Sequence, residues 1–418
     1  VHGQVNSDVT DIGLVAQEDI NWRDRIIASL GVRFDKSTLN RDQEKFYAFP
    51  KFSLAANFAN FDFWTVDAVN LLKLRAAYGE TGGLPNYGVT FESLTPQLIG
   101  GSLGGQVGTR SIDPNLEPET AAELEIGLDL GILDNRVFLE ATWFNKKVRD
   151  LILDLTPAES TGIAAIATNA ADLVNKGVEI TLGINPVRTA NFNWSSRISW
   201  WKVNSEITDL KIPIQTVGGF GPSLGTYLIA KGYSPTTIVG TPDGTDIPGG
   251  FTVYGDRQPD FQASWYNNIN FLGNFDFNFL LHWQKGGEAI NLSALLWDDG
   301  GTTPGWDEDK NKNEQPDGLD RLLDWAVEGN TGAYIEETSY LKLREVSLYY
   351  TLPQSLLGRG FVKKLKLGVS ANNVLLWTSY GSYDPEVSNF GTQPIASNIE
   401  VTPYPSSRRL FFHLKADF

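Results

Sequence analysis

The chain is 418 residues long, carries a formal net charge of −16 and contains no cysteine. The charge argues against nucleic-acid binding, and the missing thiols remove disulfide frameworks, thiolate metal sites and cysteine nucleophiles. Mean hydropathy is −0.20 and no apolar run reaches about 18 residues, which excludes a helical membrane protein but not a barrel, since half of each barrel strand is polar.

Read with period 2, the chain predicts thirteen amphipathic strands: 8–18, 21–35, 48–59, 70–79, 120–131, 136–148, 174–185, 192–204, 261–271, 275–285, 340–352, 364–373 and 408–418. Ala122, Leu124, Ile126, Leu128 and Leu130 share one face, opposite Glu123, Glu125 and Asp129. Val178, Ile180, Leu182 and Ile184 oppose Glu179 and Thr181, and Phe275, Phe277, Phe279, Leu281 and Trp283 oppose Asp276, Asn278 and His282. Successive strand side chains point to opposite faces, so each segment has one apolar and one hydrated side. A charge facing lipid near the bilayer midplane costs about 2–4 kcal/mol, which would purge charge from one phase only. Between 340 and 352 the phase breaks, from Leu341 and Leu343 to Val346, Leu348 and Tyr350, and predicts a bulge at Arg344 and Glu345.

The connections alternate in length. Those at 132–135, 186–191 and 272–274 are short and carry Asp-Asn, Asn-Pro and Gly-Asn turn chemistry. Those at 80–119, 149–173, 205–260, 286–339 and 373–407 are long, with a shorter one at 36–47. Structureless loops of that size argue against a compact soluble domain, whereas an outer-membrane barrel places all its long loops outside the cell. No linker or composition shift divides the chain into the two or three domains its length suggests. The expected fold is therefore an all-β transmembrane antiparallel barrel, with long extracellular loops, short periplasmic turns, residue 418 in the periplasm and the first residues in an extracellular loop. Thirteen is odd, and an unclosed sheet leaves backbone groups unpaired in hydrocarbon, so earlier strands outside the given sequence are expected to complete the barrel. Aromatics make up 12% of the chain, including 12 Trp, as interfacial girdles require.

Several segments resemble the SusC/RagA family of TonB-linked outer-membrane transporters. Asp113-Pro-Asn-Leu-Glu-Pro-Glu-Thr120 and Glu123-Leu-Glu-Ile-Gly-Leu-Asp129 are similar to that family's segment before and within a strand. Asn175-Lys-Gly-Val-Glu-Ile180, Tyr340-Leu-Lys-Leu-Arg344, Tyr350-Thr-Leu-Pro353 and Asp384-Pro-Glu386 follow in the family's order. The resemblance implies that the chain is the C-terminal thirteen strands of a barrel of about 22, whose N-terminal plug and first strands are not in this sequence. It further implies a SusD-like surface lipoprotein as lid, the TonB complex acting through that N-terminal part, outer-membrane lipid as surroundings, and import of oligosaccharides or peptides. The organism would be Gram-negative, of the Bacteroidota. The final strand, ending on Phe418, resembles a barrel-assembly signal.

No catalytic constellation is legible, and an enzyme is not expected. His282 and His413 lie on inward phases and are expected to line the lumen; His2 stands apart. Glu123 and Glu125 read as a hydrated pore wall, and the glycine-rich run 100–108 as a mobile extracellular loop without nucleotide-binding context. Between 286 and 339 thirteen acids face only Lys310, Lys312 and Arg321. There Asp307, Asp309, Asn311 and Asp317 resemble the start of a calcium loop, but Lys312 and Gly318 replace the glycine and glutamate of an EF-hand, so a looser Ca²⁺ site competes with a solvated acidic loop; no other cofactor is expected. Trp297, Trp306, Trp325, Tyr334, Tyr380 and Tyr383 offer flat faces for sugar stacking, or for loop packing and partner docking. The leading reading is glycan import with a SusD-like lipoprotein. Uptake of peptide or another nutrient, a passive porin or adhesin barrel, and a soluble all-β carbohydrate-binding protein are the alternatives.

Overall fold

The computed structural model describes residues 8–418, apart from 86, 89, 91–93, 243, 245, 246, 248, 359 and 391–397; His2 lies outside the described residues. Thirteen strands form one antiparallel path in chain order. They are β1 (Asp11–Trp22), β2 (Ile26–Ser37), β3 (Tyr47–Asn57), β4 (Val69–Gly83), β5 (Glu119–Ile132), β6 (Val137–Leu155), β7 (Ala165–Arg188), β8 (Phe192–Leu210), β9 (Phe261–Phe271), β10 (Phe275–Lys285), β11 (Tyr340–Thr351), β12 (Lys364–Thr378) and β13 (Arg409–Asp417). A short strand, Arg110–Ile112, adds to β7 in parallel. Among the described residues no helix is long and apolar enough to cross a membrane, and the 11 residues of β10 match the roughly 9–11 that a tilted strand needs.

The register carries the apolar phase from strand to strand across the sheet. Leu414 faces Leu367, Phe412 faces Val369, Val369 faces Leu348 and Leu348 faces Phe277. This face has nothing packed over it: Phe412 is 79% and Leu414 72% exposed. So continuous an apolar surface marks contact with lipid. Aromatics gather towards its two borders, with Trp200, Phe261 and Trp283 in mutual contact at the loop end and Phe271, Phe275 and Tyr350 at the turn end. Two polar side chains between these borders, Ser196 and Asn267, accept hydrogen bonds from the indoles of Trp265 (2.8 Å) and Trp194 (2.9 Å). Charge on this phase includes Glu18 of edge strand β1, opposite Leu30, and, towards the loop end, Glu80 and Lys147, both opposite Ala122.

The opposite face is charged and paired. Asp129 binds Lys73 (2.8 Å) and Arg75 (3.1 Å), and Lys366 binds Asp276 (3.1 Å). Aromatic rings lie over glycines on this side, Phe144 over Gly177 and Tyr349 over Gly368, so close that a Cβ would collide with the ring.

Three expectations are corrected. The first turn lies at Arg23 and Asp24, both at positive φ (54° and 55°), rather than at 19–20; no glycine or asparagine marks those positions, so the usual hairpin signal is missing. Strands β6, β7 and β8 run well past their expected ends, to residue 155, from residue 165 and to residue 210. Asp150 sits in a bulge at φ 57° and shifts the phase, and Ala167, Ala170 and Ala171 are buried on both sides, which erases the alternation there. The glycine-rich run belongs to a hairpin, Leu94–Ile99 with Ser102–Val107, turning at Gly100 and Gly101; a strand precedes it, and a strand rather than a helix follows. The expected bulge is present: Leu281 faces Leu343 but Leu280 faces Glu345, so Arg344 is the inserted residue.

The long connections are folded rather than structureless. The β8–β9 connection forms a four-stranded sheet from Gln215–Val217, Thr226–Ile229, Thr237–Gly240 and Thr252–Asp256. The β10–β11 connection holds Glu288–Asn291, helix α1 (Leu292–Asp299), helix α2 (Asp317–Ala326) and Ile335–Glu337, and joins Ile399–Glu400 of the β12–β13 connection in a second sheet. Tyr227, Ile238, Ile290, Leu292, Leu295, Tyr334 and Ile399 form one buried core across all three connections. They make a single cap with a core of its own.

Candidate functional site at the lumen mouth

Cap and wall meet on the inward phase of β9 to β11. Tyr340, Lys342 and Arg344, two positions apart, share the inward side of β11 up to the bulge and place three donors in a row. Asp384 and Glu386, from the β12–β13 connection, dock onto them. Lys342 Nζ lies 2.7 Å from Asp384 Oδ2 and 2.8 Å from Glu386 Oε2, and Arg344 Nη1 lies 3.0 Å from Glu386 Oε2. Tyr340 donates its hydroxyl to Glu386 Oε1 at 2.7 Å. Lys342 and Asp384 are almost fully buried, at 4% and 2% side-chain exposure. Burial pushes the Glu386 carboxyl up, but hydrogen bonds from Arg344, Lys342 and Tyr340 outweigh it and hold the group down at about 2. Arg344 Nε also donates to His282 Nδ1 (2.8 Å), and the ring of His282 stacks on Trp201 with centroids 5.7 Å apart. The family-like segments 340–344 and 384–386, distant in sequence, are thus two halves of one clamp.

Beside the clamp lies a cavity of about 410 Å³, within the usual range for small-ligand sites, about 300–1,000 Å³. Its wall side is Gln262, Gln284 and Tyr340; its cap side includes Thr236, Arg257, Gln258, Glu386 and Asn398. A recess of about 520 Å³ against β1–β4 is larger, but it reaches edge strand β1 and its Arg33 and Asp35 are already paired at 2.7 Å.

Other family-like segments hold structure together. Asn169 accepts from the Glu117 backbone (2.8 Å) and donates to the carbonyls of Glu117 (2.9 Å) and Asp150 (2.6 Å), while Thr168 donates to Asp113 (2.6 Å). Residues 113–119 are thereby fastened over the extensions of β6 and β7. Asn175 accepts from Ser205 on β8 at 2.5 Å.

The six aromatics singled out in the sequence all lie in the cap but do not converge. Tyr334 and Tyr380 are buried, donating to Asp298 (3.1 Å) and Glu400 (2.8 Å). Trp306 and Trp325, both half-buried, donate to the carbonyls of Asp298 (3.0 Å) and Ser223 (2.8 Å). Trp297 and Tyr383 meet edge to face at 5.3 Å, and Tyr383 is the exposed member of the set. Asp298 itself is fully buried and held by Arg321 through two bonds of 2.9 Å. Of the candidate metal residues, Asp309 accepts the backbone N–H groups of Asn313 and Glu314 (3.1 Å each), Asp317 accepts that of Lys310 (2.9 Å), Asn311 donates to Asp320 (3.3 Å), and Asp307 is exposed. Among the described residues no three His, Cys, Asp or Glu side chains gather closely enough to hold a metal. His413 bonds Ser370 at 2.8 Å on the inward face, and Glu123 faces Lys146 there. Sequence reasoning did not single out Lys342 or Arg257 as site residues. Lys342 was marked by its inward phase on β11; Arg257 stands in an irregular stretch where no periodicity points anywhere.

The TonB-dependent receptor-like β-barrel family model matches residues 3–374. A TonB-dependent receptor of Formosa agariphila is 28% identical over 453 residues, covering 95% of this chain and 45% of the relative. The TonB-dependent receptor SusC of Bacteroides thetaiotaomicron is 26% identical over 199 residues, 44% of this chain and 20% of the relative. The structure of the RagAB peptide transporter superposes with a TM-score of 0.79 at 17% identity, covering 98% of this chain and 47% of that one, and shows the shared fold. The chain spans about half the length of the Formosa receptor that it matches. By the family match and the membrane-facing sheet together, the chain belongs to the TonB-dependent receptor-like β-barrel family.

Proposed function

We infer that this chain is the C-terminal portion of the barrel of an outer-membrane importer of the SusC/RagA type. It takes up oligosaccharides with a SusD-like surface lipoprotein as partner, driven by the TonB complex through a plug and first strands outside the given sequence. The observation that supports this reading best is the lumen mouth. A folded extracellular cap is fastened to the hydrated wall by Lys342, Arg344, Asp384 and Glu386 and leaves a polar cavity between the two. A passive pore has no need of such a cap, whereas a binding step before energised transport needs a recess in which solute can be held. The amides and hydroxyls lining it suit sugar hydroxyls.

Deletion of the gene for the complete transporter tests the reading. Uptake of an oligosaccharide mixture should fall, should fall equally when TonB is removed, and the transporter should co-purify in detergent with a lipoprotein. Unchanged glycan uptake with loss of peptide uptake would replace oligosaccharide by peptide. Uptake independent of TonB would leave a passive pore.

A further inference from the structure

The cavity at the lumen mouth holds one carboxylate and one cation that stand in opposite states. Both oxygens of Glu386 are taken, by Lys342, Arg344 and Tyr340. The guanidinium of Arg257, half-buried on the cap side, has no carboxylate in salt-bridge reach and donates no hydrogen bond among the described residues. Its flanking Asp256 is already engaged, accepting from the Thr236 hydroxyl (2.6 Å) and the Gln258 backbone (2.8 Å). A partly desolvated cation without a counter-charge is unfavourable, and guanidinium is shaped to take a carboxylate or sulfate through two parallel bonds. What the cavity lacks is a second anion to meet Arg257.

Resting on the import reading above, we propose that this cavity is a subsite for an acidic sugar unit, its carboxylate or sulfate on Arg257 and its hydroxyls on Gln262 and its neighbours. The lining favours a sugar over an acidic peptide. Apart from the ring of Tyr340, only Pro259 and Pro385 offer apolar surface, so a peptide's apolar side chains would gain little there, while the remaining lining is amide, hydroxyl and charge. Gln262, on the inward phase of β9, faces Trp201 on one side and Gln284 on the other and makes no side-chain bond of its own among the described residues.

The intact transporter, purified in detergent with whatever co-purifies, is applied to an array of neutral, uronate-bearing and sulfated oligosaccharides and of acidic peptides. Acidic saccharides should be retained over neutral ones. Arg257→Gln should weaken that retention about 10–100-fold, the span of one charge-assisted pair. Arg257→Lys should keep part of it and, with unchanged circular dichroism, show that loss in the glutamine variant is not misfolding. Lys231→Gln, at an exposed lysine that pairs with Asp209 and does not line the cavity, should change nothing. Carboxyl reduction and desulfation of the retained saccharides tell the two anions apart. Preference for neutral saccharides, absence of acidic-saccharide binding, or full retention by Arg257→Gln overturns the subsite. Retention of neutral saccharides alone leaves the oligosaccharide reading standing, whereas retention of acidic peptides alone overturns both.

Discussion

In the wall, a residue's surroundings follow from its place in a period of two. Leu128 faces lipid and Glu125 faces the lumen because their positions differ by an odd number on β5. In the cap, surroundings follow from a three-dimensional core. Ile290, Tyr334 and Ile399 meet only because three connections pack together. The wall turns its apolar residues outward and keeps its ion pairs inside, as Asp129 with Lys73 and Arg75. The cap does the reverse, turning apolar residues inward like a soluble domain, with the Asp298–Arg321 pair beside that core. The two plans require different solvents on the two sides of one chain, and they are joined by a few buried charges.

Cutting that joint should have the largest effect. Lys342→Met leaves Asp384 and Glu386 short of their cation in a buried place, a loss of about 3–5 kcal/mol when one partner of a buried pair is removed. The β12–β13 connection should become sensitive to protease and lose amide protection. The wall should keep its resistance to unfolding in detergent, seen as heat-dependent gel mobility. Simultaneous loss of both would mean that cap and wall are one cooperative unit and would erase the contrast.

Next in size is a charge on the wall. Leu128→Lys places an ammonium against lipid and should cost about 2–4 kcal/mol near the midplane, whereas Glu125→Lys, three residues away on the hydrated face, should stay within about 0.5 kcal/mol. Denaturant unfolding from liposomes measures both. Equal effects would break the assignment of lipid and lumen faces.

These two cases also show how far the sequence could be read. The wall was legible because lipid purges charge from one phase and leaves a period that survives inspection; even the Arg344 insertion showed as a phase slip. The turn at Arg23 and Asp24 was hidden because neither glycine nor asparagine marks it and Arg23 is not of a type that favours positive φ. The cap was illegible for a deeper reason. Its strands run to only two to five residues, too short to show a period, and Thr226–Ile229 and Thr237–Gly240 are buried throughout. Tyr334 and Tyr380 look like ligand platforms in a list of residues; their buried hydroxyls on Asp298 and Glu400 appear only when the loops are folded. The clamp joins residues about 40 positions apart, and no local pattern announces it.

Acid should sharpen the contrast with a smaller effect. Glu386 is held down at about 2, below its ordinary value, so its contribution is complete above that ordinary value and is lost only as pH falls through about 2. Glu336, inside the cap, is shifted the other way: burial pushes its carboxyl up, against bonds from Gly381 (2.6 Å) and Asn291 (2.8 Å). It favours the folded cap in its protonated form, and that advantage fades as pH rises through the raised value. Lowering pH from 7 to 4 should therefore leave the clamp closed and slightly firm the region around Glu336, as read by amide exchange corrected for intrinsic rates. Opening of the 384–386 segment already at pH 4 would contradict the clamp's electrostatics.

The smallest effect should come from Ca²⁺ at the acidic loop. The ion takes about six to eight oxygens, and a site must offer them without first breaking other bonds. Asp309 has both oxygens on the backbone N–H groups of Asn313 and Glu314, and Asp317 has one on that of Lys310. A cation recruiting these carboxylates would have to undo the bonds that shape the loop, leaving Asp307 and the Asn311 carbonyl as the unencumbered donors. The loop's negative charge should attract Ca²⁺ diffusely, with a response that added salt screens. Titration of the intact transporter should give no saturable heat up to about millimolar Ca²⁺, a range that covers even the weak extracellular modules. Saturable heat that survives salt and disappears in Asp309→Asn would show that the loop rearranges around the ion, and the cap would then owe part of its fold to a metal that the wall does not need.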